Sequence, residues 1–189
     1  MYVFFDTETT GLPRSWKAPV QQVNNWPRLV QIAWLVYDEV GTLLSEKQFI
    51  IKPNGFTIPK GASDVHGITT EDAIAKGVDL LGVLHAFNED IANNQILVAH
   101  NMSFDEKIIG AEFIRNAIQS KLFDQERLCT MLASVNYCRI PGKYGFKWPK
   151  LSELHIQLFG VDFEAAHDAM ADIQATAKCF WELKKRKVI

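Results

Sequence analysis

The order of apolar segments along the chain constrains the fold more than any other feature of the sequence. Residues 2–5, 29–38 and 43–51 are rich in β-branched and aromatic residues, which predicts three strands. The residues at 39–42 predict a hairpin turn between the second and third strands. A fourth strand is predicted at 96–99. Strands followed by an alternation of helix and strand indicate an α/β fold, with helices packed on the faces of a sheet.

Apolar residues recur at three- and four-residue steps in several segments after the third strand. The predicted helices are 79–92, 104–117, 150–159 and 168–186. Gly160 is predicted to end the third helix, and Asp168 to cap the start of the fourth. Residues 53–61 are predicted to form a loop. Because the chain has 189 residues, no internal repeat and no linker-like stretch, we predict a single domain over 1–189.

The composition is that of an ordinary globular protein, with 48% hydrophobic residues and a formal net charge of −2. No broad basic surface therefore indicates a nucleic-acid partner, although a site built from carboxylates would itself lower the net charge. The three cysteines form no CxxC pair, which favours unpaired thiols over a disulfide or a zinc site. The longest apolar run, 29–37, is too short to span a membrane, and no signal peptide is recognisable. We expect a cytoplasmic protein with no membrane partner.

Acidic residues lie at the predicted ends of secondary-structure elements in three separate segments. Asp6 and Glu8 follow the first strand, and side chains two apart on an extended chain point to the same face. Asp105 follows the strand at 96–99, where α/β sheets commonly build binding sites. His167 and Asp172 flank the start of the last helix. Carboxylate oxygens are the ligands that Mg²⁺ and Mn²⁺ prefer.

Each of these patterns has an ordinary structural explanation when it is taken alone. An Asp-x-Glu pair is usually a solvated strand end, Asp105 could cap a helix, and His167 could be a structural hydrogen-bonding residue. Their combination in one small domain favours a metal-dependent active site instead.

The three segments closely resemble the motifs of the DEDD exonuclease superfamily, His subtype, which includes exonucleases like the DNA polymerase III ε subunit and the three-prime repair exonucleases. They read Phe-x-Asp-x-Glu-Thr-Thr-Gly-Leu from Phe4, His-Asn-x-x-Phe-Asp from His100, and His-x4-Asp from His167. The segment 65–69 (Val-His-Gly-Ile-Thr) also recurs in this group. The resemblance covers residues 1 to about 185. It implies a ribonuclease H-like fold, a mixed five-stranded sheet flanked by helices, with the fifth strand near 122–129.

The resemblance also implies an activity and a role for each motif residue. The activity is 3′→5′ exonucleolytic hydrolysis that releases 5′-mononucleotides. Asp6, Glu8, Asp105 and Asp172 would hold two Mg²⁺ ions, for which Mn²⁺ can substitute, and His167 would be the general base. The implied substrate-binding residues are Thr10, Gly11, Leu12, His66, Asn101 and Phe104. Leu12 would wedge against the terminal base.

Two further segments could contact a nucleic acid. Residues 13–28 carry Trp16 and Trp26, which could stack on bases, although burial that pins this long loop is favoured. The second cluster interleaves basic and aromatic residues: Arg139, Lys143, Tyr144, Phe146, Lys147, Trp148 and Lys150. It could bind phosphate groups or be a solvated basic loop, and the sequence does not separate the two.

The sequence leaves the substrate and the biological role open. Single-stranded or frayed 3′ ends of DNA are our preferred substrate, and the alternative is an exoribonuclease of the ribonuclease T or oligoribonuclease type. A polymerase partner is an option, but the sequence ends at Ile189, directly after the last predicted helix, without the tail expected of an ε-type subunit. A stand-alone enzyme is therefore equally compatible. A non-catalytic polymerase accessory protein is disfavoured by the intact set of carboxylates.

Overall fold

A mixed five-stranded sheet forms the centre of the computed structural model, which describes residues 1–92, 95–164 and 167–189. Its strands are β1 (Tyr2–Thr9), β2 (Leu29–Tyr37), β3 (Leu43–Ile50), β4 (Ile96–Ala99) and β5 (Glu126–Cys129). Their order across the sheet is β3-β2-β1-β4-β5. β2 pairs antiparallel with both β1 and β3, whereas β4 runs parallel to β1 and β5. The predicted mixed α/β sheet is confirmed.

The first strand is longer than the sequence predicted, and the difference matters for the site. We expected β1 to end before Asp6, but it continues to Thr9. Asp6 pairs with Ala33 of β2, and Glu8 pairs with Gln31. Pairing with the neighbouring strand therefore overrides the low strand propensity of the two acidic residues. The register shifts between Glu8 and Thr9, so the ladder becomes irregular where the motif turns away from the sheet.

Helices cover both faces of the sheet. The helices are α1 (Lys60–His66), α2 (Thr70–Lys76), α3 (Leu80–Asp90), α4 (Met102–Arg115), α5 (Thr130–Ala133), α6 (Val135–Cys138), α7 (Leu151–Phe159) and α8 (Ala169–Lys185). One core joins Phe5 and Trp34 of the sheet to α3 and α4. The other joins Phe4 and Ala33 to Ile173 and neighbouring residues of α8. Since neighbouring strand residues point to opposite faces, Phe4 and Phe5 anchor different cores.

The four predicted helices are confirmed as α3, α4, α7 and α8, with ends that differ by at most two residues. Gly160 ends α7 in the left-handed conformation, as predicted. The Asp168 side chain caps α8 by accepting hydrogen bonds from the backbone N–H groups of Met170 and Ala171. Among the described residues, no helix is long and apolar enough to cross a membrane.

Several short elements were not predicted. α1 and α2 have seven residues each. α1 contains Gly61, and α2 buries only Ala73. Neither segment therefore shows the repeated apolar spacing by which a longer helix is recognised. The predicted loop 53–61 accordingly ends two residues earlier, because α1 begins at Lys60. Of the two candidates for the fifth strand, Leu128–Cys129 lies in β5, whereas Leu122–Phe123 lies in a 3₁₀ turn.

Candidate active site

Asp6 and Glu8 lie on the face of β1 that packs against α8. They are two and four residues after Phe4 on the same strand, so they share its face, and Phe4 is buried in the α8 core. Near the carboxyl end of this strand, Asp105 in the first turns of α4 contacts Thr7, and Ala169 at the start of α8 contacts Gln31, the β2 residue that pairs with Glu8. Three segments that are distant in sequence thus converge on one edge of the sheet.

Asp105 reaches the same edge from α4, on the other side of β1. Its carboxylate is buried and accepts hydrogen bonds from Thr7, at 3.2 Å from the backbone N–H and 2.7 Å from the hydroxyl. No role is predicted for Thr7 from the sequence. The signal for it was the strand alternation itself, because the residue between two carboxylates must face the opposite helix layer.

Asp172 and His167 are brought in by the start of α8. The His167 backbone N–H donates to Asp172 Oδ2 at 3.2 Å, and His167 adopts a left-handed φ of 72°. Ligand atoms of Glu8, His167 and Asp172 all lie within 4.8 Å of one another. His167 is exposed to solvent, whereas the two carboxylates are half-buried. The predicted convergence of these residues is therefore present.

The four carboxyl groups have raised pKa values, because burial and mutual repulsion disfavour their charged forms. Burial and the charges of Asp105, Asp172 and Glu8 raise the pKa of Asp6 well above its usual range. Burial, followed by the neighbouring acids, raises the pKa of Glu8 to about 8. Burial also raises the pKa of Asp105 to about 7 and that of Asp172 to about 6. Such a set of oxygen donors fits hard divalent cations, whose charge would replace the protons.

Two glutamines from the sheet hold the start of α8 against this cluster. Gln31 is only 3% exposed, its carbonyl oxygen accepts from the Ala169 N–H at 3.1 Å, and its amide donates to Asp168 at 3.3 Å. Gln48 donates to the same carboxylate at 3.1 Å from an exposed position. Neither was predicted as functional, although a glutamine inside an apolar buried strand was a recognisable signal.

Replacing Gln31 by leucine is expected to lower both stability and any activity of this site. The Ala169 N–H and the Asp168 carboxylate would each lose a buried partner, which costs about 1–3 kcal/mol of unfolding free energy. The displaced helix start would carry His167 and Asp172 with it, and small displacements can lower kcat by up to about 10²-fold. Denaturant unfolding and steady-state kinetics measure both effects.

The matched control is Gln48→Ala, since Gln48 bonds the same carboxylate from the surface. It is expected to change unfolding free energy and kcat only slightly. Equal effects of the two substitutions would show that burial of Gln31 does not position α8.

A separate pocket lies next to the carboxylates. Its volume is about 360 Å³, which is within the usual range of ligand pockets, and Glu8 forms part of its wall. Four of the six predicted substrate-binding residues line it: Gly11, Leu12, His66 and Phe104. Leu12, one of these lining residues, is 74% exposed.

The other two predicted substrate-binding residues do not line this pocket. The Thr10 hydroxyl accepts a hydrogen bond from the Arg28 backbone N–H at 2.9 Å and so closes the base of the loop 13–28. Asn101 lies before α4 with a left-handed φ of 82° and lines a neighbouring cleft instead.

The two tryptophans of the loop 13–28 have different environments. Trp26 is buried and its ring N–H donates to the Pro19 carbonyl, as the favoured interpretation predicted. Trp16 is 51% exposed, so the prediction of burial was wrong for this residue. Its ring centroid lies 5.7 Å from that of Phe104, close to the pocket.

The family model for exonucleases of the RNase T type matches residues 3–180. The chain belongs to the RNase T exonuclease family. It is thereby placed in the DEDD exonuclease superfamily that the three motifs predicted, and the ribonuclease H-like fold is confirmed.

The proteins to which this chain is similar include bacterial DNA polymerase III components. It is 32% identical over 187 residues to a "DNA polymerase III subunit epsilon-like protein" of Rhodobacter capsulatus, covering 96% of this chain and 23% of that protein. It is 30% identical over 177 residues to the PolC-type DNA polymerase III of Streptococcus suis, covering 94% of this chain and 11% of that protein. The chain thus spans less than a quarter of the length of these relatives.

The fold is also that of solved exonuclease structures. The family member superposes on Escherichia coli exonuclease I in complex with a dT13 oligonucleotide with a TM-score of 0.78. The match has 22% sequence identity and covers 98% of this chain and 41% of that chain. At this identity the similarity concerns the fold.

Proposed function

We propose that this protein is a 3′→5′ exonuclease that removes 5′-mononucleotides from single-stranded or frayed 3′ ends of DNA. The observation that carries the proposal is the convergence of four carboxylates and His167 beside a pocket of nucleotide size. The family to which the chain belongs consists of exonucleases, which supports the same reaction. We also propose that residues 1–189 act as one exonuclease domain.

We infer that Asp6, Glu8, Asp105 and Asp172 hold two Mg²⁺ ions, for which Mn²⁺ can substitute. The donor set supports this inference, because four carboxylates with mutually raised pKa values need a compensating positive charge. A pair of such ions, when bound, activates the attacking water and stabilises the leaving 3′-oxygen of a phosphodiester.

We assign His167 as the general base that accepts the proton of the attacking water. Its imidazole is exposed to solvent, and its ligand atoms lie within 4.8 Å of those of Glu8 and Asp172, so it can reach a water molecule held at this cluster. The same proximity is compatible with His167 as a metal ligand, because neutral imidazole also binds divalent ions. The two roles differ in what happens to metal affinity when the ring is removed.

The pocket beside Glu8 is assigned to the terminal nucleotide. The exposed Leu12 side chain offers an apolar surface to a base, and Phe104 provides an aromatic wall. His66 is buried at the same pocket, and burial lowers the pKa of its imidazole, so it would meet the nucleotide as a neutral hydrogen-bonding group. Gly11, with φ of 140°, lets the backbone approach closely.

DNA as substrate is supported by the names of the relatives, which are DNA polymerase III components, and by the oligonucleotide complex of exonuclease I. A polymerase partner, with a proofreading role, is proposed on the same ground. The alternative substrate is RNA, in which the 2′-hydroxyl of the terminal nucleotide would have to be accommodated.

Labelled single-stranded DNA and RNA of one sequence provide the test. With a 5′ label and Mg²⁺, we expect a ladder of products shortened from the 3′ end, faster turnover of DNA than of RNA, and no hydrolysis in EDTA. Better turnover of RNA would move the assignment to an exoribonuclease. If the wild-type protein shortens neither polymer, the chain is a non-catalytic member of the family.

A further inference from the structure

A buried ion-pair network lies on α4, two helical turns after Asp105. Glu112 is fully buried, and its Oε1 accepts hydrogen bonds from Arg28 Nε at 2.8 Å and from the Leu29 backbone N–H at 3.1 Å. Arg115 Nη1 lies 2.9 Å from the same oxygen. Because Glu112 follows Asp105 by seven residues, both lie on the same face of the helix. No step of the proposed reaction uses this network.

Stability alone does not account for the burial of these charges. Removing Glu112 and Arg115 from water costs free energy that apolar side chains of similar size would avoid. In addition, Glu112 Oε2 is buried and has no hydrogen-bond partner within residues 1–92, 95–164 and 167–189. A buried ion pair can instead be retained because it fixes one arrangement of the chain. The question is therefore which segment this network holds in place.

The network attaches the C-terminal part of the loop 13–28 to α4. Arg115 Nη2 donates to the backbone carbonyls of Val23 and Trp26, at 2.6 Å and 2.7 Å. Arg28 is the last residue of the loop and bonds to Glu112. The end of the loop is thus held by two residues of one helix.

The backbone of Arg28 links this attachment to the pocket assigned to the terminal nucleotide. The Thr10 N–H donates to the Arg28 carbonyl at 3.0 Å, and the Arg28 N–H donates to the Thr10 hydroxyl at 2.9 Å. The next two residues, 11–12, line the pocket. Phe104, which lines the same pocket, lies on α4 as Glu112 does. Two walls of the pocket are therefore held by the same helix.

We propose, on the basis of the exonuclease function proposed above, that Glu112 and Arg28 are positioning residues for the terminal nucleotide. Their ion pair holds the turn at 10–12 at the distance from Phe104 that the nucleotide requires, without contact between either residue and the substrate. The carboxylates of β1 are held separately, by the pairing of this strand with β2. Loss of the ion pair should therefore weaken nucleotide binding and leave the metal site intact.

Arg28→Met tests the proposal, because it removes the ion pair at a partly exposed position and keeps an unbranched apolar stem. The substrate is thymidine 5′-monophosphate p-nitrophenyl ester with Mg²⁺, which is small enough to report on the terminal pocket. We expect KM to rise about 3- to 30-fold, as for substitutions that act on a site through an intervening network, with kcat within about threefold of wild type. The affinity for Mg²⁺, measured by isothermal titration calorimetry, should not change.

Two further substitutions separate positioning from loss of stability. Partial unfolding lowers the fraction of active molecules, and hence the apparent kcat, but leaves the KM of the folded molecules unchanged. Arg28→Lys keeps a charged donor and should bring KM back close to the wild-type value. Glu112→Gln should raise KM as Arg28→Met does, and the double variant should raise it no further, because both substitutions remove the same contact.

Arg186→Met is the matched control. Arg186 Nε makes the same kind of bond, with Glu182 Oε1 at 2.7 Å, at the end of α8 opposite to Asp172. This substitution is expected to leave KM at the wild-type value, even where it lowers Tm.

The outcomes distinguish the positioning role from the proposed activity. An active wild type with unchanged KM in Arg28→Met would overturn the positioning role and leave the exonuclease assignment standing. A loss of Mg²⁺ affinity that matches the rise in KM would also overturn it, because the network would then act through the metal site. If the wild type does not hydrolyse the ester, the affinity for thymidine 5′-monophosphate decides. Weaker binding by Arg28→Met than by wild type would support the positioning role and overturn the activity, whereas equal binding, or none by wild type, would overturn both.

Discussion

Asp6→Asn is expected to lower kcat for oligonucleotide hydrolysis by about 10³-fold or more, because metal stabilisation of the transition state is worth several kcal/mol. Burial and then the charges of Asp105, Asp172 and Glu8 raise the pKa of Asp6, so this carboxylate lies within reach of all three. Its loss should also weaken Mg²⁺ binding, measured by isothermal titration calorimetry in parallel with the kinetics.

His167→Asn provides the informative contrast. If His167 is the general base, kcat should fall about 10²- to 10⁴-fold while the affinity for Mg²⁺ stays close to that of wild type. If the imidazole binds a metal ion instead, affinity and kcat should fall together, as in Asp6→Asn. Glu39→Gln removes an exposed charge at the opposite end of β1, so it controls for net charge and should change neither quantity.

Full activity of Asp6→Asn would exclude the proposed site.

The sequence predicted the sheet well because its strands are strongly apolar and its longest helices are amphipathic. β2 has eight of its nine residues buried, and its nearly continuous apolar run is typical of a strand that is covered on both faces. The prediction was wrong about the end of β1, because Asp6 and Glu8 are extended through pairing with β2, a tertiary effect. α1 and α2 were missed for a similar reason, since their small core with Val30 and Ile58 forms only in the folded chain.

The acidic residues of the candidate site were predictable because each belongs to a recognisable motif. The residues that position them were not, because they act through contacts between distant segments. Thr7 reaches Asp105 across 98 positions, and Gln31 reaches the start of α8 across 138. A single sequence contains no information on such pairs beyond the occurrence of a polar residue in an apolar strand.

In the absence of metal, the carboxylate cluster is expected to make the protein less stable as the pH rises from about 5 to 8. A carboxyl group whose pKa is raised on folding binds its proton more tightly in the folded state than in the unfolded state. Between the unfolded pKa and the folded pKa, the folded state therefore holds more protons, and the free energy of unfolding falls with increasing pH. For Glu8 this window extends from its ordinary value of 4.5 to about 8.

Glu8→Gln should accordingly stabilise the metal-free protein at pH 8 and have little effect at pH 4.5. Glu8 is half-buried, so solvent screening reduces the gain, which we expect to be about 1–3 kcal/mol, or about 3–10 °C in Tm. Asp72→Asn is the control of opposite sign. The Lys76 and Thr69 side chains lower the pKa of Asp72, so its replacement should destabilise the protein at neutral pH, with an effect that disappears in acid.

Mg²⁺ should reverse the ranking of the two proteins. Binding to the folded state adds a stabilisation that grows with the ratio of ion concentration to Kd, and the ligands must be deprotonated to bind. Wild type is therefore expected to gain more from Mg²⁺ at pH 8 than Glu8→Gln does, and to gain almost nothing at pH 5. Thermal unfolding of both proteins in EDTA and in Mg²⁺ across this range measures all four conditions. Repulsion among the buried carboxylates raises their pKa values, and bound cations would relieve that same repulsion. Stabilisation by Mg²⁺ at this cluster must therefore depend on pH and on Glu8. A stabilisation that is equal in the two proteins and independent of pH would place the ion outside the carboxylate cluster.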